Sequence, residues 1–217
     1  MPRRPASEQG DTLKQVREAA FSLFGRYGYD GVSMLAVARA AGLTKAALYW
    51  HYDGKEALYT DCVRQLNALF RRHVFTRMAA EDTPIERLMA IFRGMGTLLA
   101  DPAVDEGVAG YWLMPSTADV AEARAVQAQF EEASARVIGQ AIQAAVDDGD
   151  LTLDIPVVDM AQAVMATMEA IVLPLRRSNP ERSRRLIAAL AHTFFRAHAV
   201  RPELARMAMG ESGLATT

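Results

Sequence analysis

Cysteine is almost missing from this sequence: Cys62 stands alone among 217 residues. No internal disulfide can form, although a chain of this length can bury a sizeable core without one. Long apolar runs are missing as well. Runs such as Ala170 to Leu175 are far short of the ~20 residues that a membrane-spanning helix needs, so no membrane partner is expected. No charged-then-apolar leader opens the chain, and with the lone cysteine this predicts a cytoplasmic protein. Strand signals are nearly absent. The four histidines, His51, His73, His192 and His198, lack the spacing of a metal site, and Cys62 has no adjacent base. No glycine-rich loop could cradle a phosphate. Catalytic residues, metals and cofactors are therefore not expected.

What is present is helical periodicity and an uneven charge. Leu13, Val16, Ala20, Leu23, Phe24 and Tyr27 recur at spacings of three and four, which puts them on one face of a helix. Thr83-Pro84-Ile85-Glu86 supplies a cap, a first-turn proline and a capping-box glutamate. Such signals predict an all-α chain with helices near 12–27, 33–40, 44–51, 54–78, 84–100, 103–113, 117–147, 157–177 and 180–199. The first ten and last eight residues lack apolar periodicity and are expected to be loose. Residues 1–77 carry twelve Lys/Arg and seven Asp/Glu, a net of +5, against twelve and nineteen, a net of -7, in the remainder. A basic unit on an acidic body suggests that one end meets a polyanion.

The most informative stretch runs from Ser33 to Tyr52, two very short helices around one glycine. Gly42 can take the positive φ of a sharp interhelical turn, Ala38 permits close approach, Val37, Leu43 and Leu48 can form a miniature core, and Thr44 can cap the second helix. From Thr12 through LFGRYGYDGVSMLAVARAAGLTKAALYWHYDGKEAL to Leu58 the sequence resembles the TetR family of bacterial regulators. Phe24, the Gly28-Tyr29 turn, Gly42, the Leu48-Tyr49-Trp50-His51-Tyr52 signature and Lys55-Glu56-Ala57-Leu58 carry the resemblance. It implies a three-helix DNA-binding domain over 1–55 and a helical ligand-binding and dimerisation domain over 56–217. Ser33, Thr44, Lys45, Ala46, Ala47, Tyr49, Trp50, His51 and Lys55 are the expected DNA-facing positions. Lys45 can donate to guanine and the alanines can meet thymine methyls. Thr44, Tyr49, His51 and Lys55 suit phosphates, which fix register without reading sequence. Trp50 either anchors a core or turns its edge to DNA, and Arg3 and Arg4 either enter a minor groove or belong to a solvated tail.

Nine of the eleven methionines lie from Met78 onward. Methionine adapts to irregular apolar shapes, so these residues either line a cavity for hydrophobic ligands or simply fill a core. The expected pocket is Met89, Phe92, Met95, Tyr111, Trp112, Phe130, Met165 and Met168, with Glu169 as a counter-charge. The last two long helices are expected to form an antiparallel hairpin, and Pro174 should bend the end of the first. The resemblance implies that two such hairpins build a homodimer interface from Val164, Ile171, Val172, Leu175, Ile187, Leu190, Ala191, Phe194 and Phe195, unless the chain's own core consumes those faces. The implied function is repression from a palindromic double-stranded operator, relieved by a small hydrophobic or amphipathic effector. Control by a protein partner and an α-helical enzyme are the alternatives.

Overall fold

The computed structural model describes residues 6–105, 107–172 and 180–210. The fold is all-α. Helix α1 (Ala6–Tyr27), α2 (Met34–Ala40) and α3 (Lys45–Tyr49) form the N-terminal unit, and α4 (Lys55–Phe70) leads out of it. Beyond α4 come one π-helical turn (Arg71–Phe75), α5 (Thr76–Ala79), α6 (Pro84–Leu99) and α7 (Pro102–Asp105). Two 3₁₀ turns, Ala109–Leu113 and Ala118–Val120, precede α8 (Ala121–Asp147), α9 (Val157–Val172), α10 (Pro180–His198) and α11 (Pro202–Gly210). Pairing outside helices among the described residues is one antiparallel bridge, Leu151 with Ala199. None of the described helices is long and apolar enough to cross a membrane.

Local chemistry sets most of these boundaries. Thr83 accepts from the Glu86 amide while the Glu86 carboxylate accepts from Thr83, so α6 begins with a complete capping box. The helix expected over 103–113 is instead broken into α7 and a 3₁₀ turn, because Gly107 takes φ 109, a region closed to a helix. Helix α11 escaped the sequence reading: its buried side chains, Leu204, Ala205 and Ala208, amount to one turn of periodicity. The connection between the last two long helices, the bend expected at Pro174, the arm residues Arg3 and Arg4 and the tail from residue 211 lie outside the described residues.

Helix α4 links the two units. It packs on α1 on one side and on α8 on the other, while α6 crosses α8 and the π turn. Gly94 allows that crossing, since a Cβ there would lie 2.5 Å from the His73 carbonyl. Helix α9 lies on α8, whereas α10 lies on α6 and α11. Among the described residues the two last long helices thus take different main neighbours. Ile91, Met95, Leu98, Ile138 and Ile142 fill the space between the layers and are wholly buried, each contributing about 1.5–3 kcal/mol of transfer free energy.

Candidate nucleic-acid interface and internal cavities

Helices α2 and α3 are too short to persist alone, and three local devices hold them. The Ser33 hydroxyl accepts from the Ala36 amide and the Thr44 hydroxyl from the Ala47 amide, each at 3.1 Å. Between them Gly42 adopts φ 68, and the Leu43 amide donates to the Ala38 carbonyl at 2.8 Å, closing the turn. Val37, Ala38 and Leu48 are wholly buried beneath. With α3 pinned from below, its outer face is free.

That face carries Thr44, Lys45, Ala46, Tyr49 and His51, all exposed, with Ala47 half-buried. Trp50 is 89% exposed, so of its two readings the core anchor is excluded. The Lys45 ammonium lies 5.6 Å from the Tyr49 ring centroid and is steadied by it. Lys55 is less free: at the start of α4 its ammonium sits 4.0 Å over the Tyr29 ring. Ser33 is exposed at the start of α2, where its capping oxygen still has a proton to donate.

Behind the face lies a clamp that the sequence did not reveal. The Tyr52 hydroxyl donates to Asp61 Oδ2 at 2.5 Å, and Arg17 Nε donates to the same carboxylate at 2.8 Å. The end of the recognition segment is thereby tied to α4 and α1 together. Burial, then the Asp61 carboxylate, push the Tyr52 phenol well above its usual range. Arg17 and Asp61 are 44 residues apart, and no local signal pairs them. Deeper still, Phe24, Tyr29, Tyr59 and Tyr111 pack ring on ring at 5.0–6.4 Å.

The expected single pocket divides in two. A cavity of about 250 Å³ between α4, the 109–113 turn and α8 takes Tyr111 and Trp112, with Val63, Leu66, Met114 and the α8 residues Arg124, Gln127, Ala128 and Glu131. A groove of about 190 Å³ between α6, α9 and α10 takes Phe92, Met95 and Met168. Met89 and Met165 line neither and are core. Phe130 meets Phe70 and Phe75 edge to face beneath the Arg71 guanidinium and lines neither space. Glu169 is half-buried beside the first cavity's acidic end: burial, then the Glu131 charge, raise its carboxyl.

The expected interface residues need correction. Val164, Ile171, Ile187, Ala191 and Phe195 are at most 7% exposed within one protomer, so they face the chain's own interior, Val164 and Ile171 along the groove. Leu190 and Phe194 line the groove, where Phe194 packs against Phe92, Phe195 and His198. The Val172 side chain and Leu175 lie outside the described residues.

A capped helix-turn-helix with an exposed recognition face, carried on an all-α body, defines the chain as a helix-turn-helix protein. Residues 16–62 match the family model described as bacterial regulatory proteins, tetR family. The HTH-type transcriptional regulator AcrR of Shigella flexneri is 33% identical over 61 residues, 28% of this chain and 28% of AcrR. IcaR of Staphylococcus epidermidis, a negative transcriptional regulator of a biofilm operon, is 33% identical over 64 residues, 27% of this chain and 35% of IcaR. The matches thus span about a third or less of these relatives. Over nearly the whole length the fold is similar to that of CprB from S. coelicolor A3(2), described as a TetR family protein. Its TM-score is 0.72 at 21% identity, over 97% of this chain and 100% of CprB. Residues 16–62 are thus similar to the N-terminal module of the tetR family of bacterial regulatory proteins.

Proposed function

We propose that the protein is a homodimeric transcriptional repressor that binds a palindromic operator through α2 and α3 and is released by a small amphipathic effector. The exposed face of α3 carries this reading, because a helix held from beneath by caps and a miniature core presents its outer residues rigidly to a major groove. Lys45 and the methyls of Ala46 and Ala47 meet base edges, Trp50 adds apolar contact, and Ser33, Thr44, Tyr49, His51 and Lys55 meet phosphates. Repression follows the sense of IcaR, a negative regulator of similar sequence over this unit.

Two protomers place their recognition helices about one turn, 34–36 Å, apart. The joining surface is the outward face of α9 and α10. Val158, Gln162, Ala166 and Ala170 are exposed on α9, and Leu186, Ala189, Thr193 and Ala197 on α10, mostly small side chains that let helices approach closely. The protein acts by binding and has no catalytic role. DNA selected by the purified protein from a random-sequence library should converge on an inverted repeat whose half-sites are about 10 base pairs apart centre to centre. Selection without any consensus would reject sequence-specific repression.

A further inference from the structure

The 250 Å³ cavity has two unlike sides. Val63, Leu66, Trp112 and Met114 make an apolar wall, while Arg124, Gln127, Ala128 and Glu131 form a row at spacings of three and four along α8. Within that row Gln127 Nε2 donates to Glu131 Oε1 at 2.8 Å, which engages the acidic end. Arg124 is at the opposite end, about 10 Å away by helix rise. Its guanidinium donates to the Thr117 carbonyl at 3.2 Å and has no carboxylate partner among the described residues. A guanidinium offers five donors in a fork that matches a carboxylate. Partly exposed at the edge of an apolar wall, Arg124 keeps further donors for an anion beyond the one given to Thr117.

The same cavity touches the DNA-binding unit through Tyr111. Its ring packs 5.3 Å from Phe21 and 5.8 Å from Tyr59, and its buried hydroxyl donates to the Phe21 carbonyl of α1 at 3.0 Å. There is no slack behind it. A Cβ on Gly110 would lie 2.2 Å from the Phe24 carbonyl, and one on Gly25 would lie 2.2 Å from the Gly107 carbonyl. The turn that lines the cavity is thus in backbone contact with α1, and α1 packs on α2. In a close-packed joint of this kind a shift on one side is carried to the other.

We propose that this cavity binds a small carboxylate with an apolar body, held by Arg124 against Trp112, and that Tyr111 passes its arrival to α1. The inference rests on the effector-released reading above and narrows it to one ligand class and one joint. A ligand entering beside Trp112 displaces the 110–112 backbone, and through the Tyr111–Phe21 bond it reorients the recognition unit. Release follows only to the extent that the displaced conformer binds the ligand better.

The test uses 4-tert-butylbenzoate, its neutral amide and 4-tert-butylbenzylamine as probes. The chain has two tryptophans, so Trp50→Phe leaves Trp112 as the sole emitter. The benzoate should change its emission saturably, and the amide should bind at least about tenfold more weakly, the loss expected for a charge-assisted bond. Arg124→Gln should bring benzoate and amide to equal affinity, and Arg124→Lys should restore part of the preference. DNA release is read by anisotropy of labelled selected operator on protein that retains Trp50. There Tyr111→Phe, compared with the parent at benzoate concentrations that saturate each protein, should lose release. Preference for the amine, or a preference for benzoate that survives in Arg124→Gln, would overturn the ligand class. Benzoate that frees DNA without perturbing Trp112 would overturn the site while leaving an effector-released repressor intact. Benzoate bound as described but without effect on operator affinity would keep the site and reject effector release. Silence of Trp112 toward all three probes overturns the site assignment.

Discussion

Single side chains on α3 divide by what they can touch. Lys45 is exposed and reaches beyond the caps, so Lys45→Ala should flatten discrimination among operator variants, by about 1–3 kcal/mol at the base it reads. Tyr49→Phe removes only a hydroxyl and should weaken all DNA sequences alike. Competition binding with single-base operator variants separates the two, and an even loss in Lys45→Ala would remove Lys45 as a base reader. Gly25 works through what it lacks. Inside a helix, glycine costs about 0.5–1 kcal/mol relative to alanine, so helix propensity alone predicts that Gly25→Ala stabilises. Its Cβ would meet the Gly107 carbonyl at 2.2 Å, and overpacking costs about 1–3 kcal/mol, so a lower melting temperature is expected. Ser33, Thr44 and Gly42 were legible in the sequence because a cap or a left-handed turn is decided within three residues. Gly25 was legible only as a defect. Its reason lies 82 residues away, in a loop whose approach no local pattern records.

At the scale of elements, the lesson concerns amphipathic faces. Periodicity located α6, α8 and α10 to within about a turn and the start of α9, but it ran α4, the π turn and α5 together as one helix over 54–78; it also marked Ile187, Ala191 and Phe195 as an apolar stripe. It could not say whether a stripe meets the same chain or another, and here α6 receives it. The pocket was half legible for the same cause: aromatic and Met residues were found, but the polar row of α8 reads as an ordinary solvated face until the 109–113 turn is laid against it. The π turn after α4 is tied down electrostatically. Asp101 accepts from Arg72 at 2.6 Å and from His73 at 2.9 Å, across to the end of α6. Burial alone would raise the Asp101 carboxyl, but the Ala103 amide, His73 and Arg72 outweigh it and hold the carboxyl below its usual range. A carboxylate depressed in the folded state adds stability above its unfolded value, about 3.9, and that stability fades as pH falls through the lower folded value. Asp101→Asn should therefore melt earlier than the parent near pH 7, with the gap closing only below about pH 4. A gap independent of pH would show that the ion pairs do not tie the turn.

For the whole molecule, the proposed homodimer sets two recognition helices at a fixed spacing, so dimerisation and DNA binding should fail together. Ala166→Arg and Ala189→Glu place charges on exposed faces of α9 and α10 without entering the protomer core, so each variant should fold and sediment as a monomer. An unpaired charge at a desolvated interface is costly, whereas on a free surface either change would shift stability by no more than about 0.5 kcal/mol. Dimers of both variants would place the interface elsewhere. The basic N-terminal unit, net +5 over residues 1–77, is the feature on which the entire reading converges, since phosphate contacts release counterions and make affinity depend on salt. The most direct measurement is therefore the affinity of the wild-type protein for its selected operator at 50 and 200 mM salt. Several phosphate contacts from each protomer predict a fall of about 10³–10⁵-fold, with scrambled DNA bound far more weakly than the operator at both concentrations. Affinity unchanged between the two salts, or equal for operator and scrambled DNA, would contradict the assignment of α2 and α3 as an operator-reading surface.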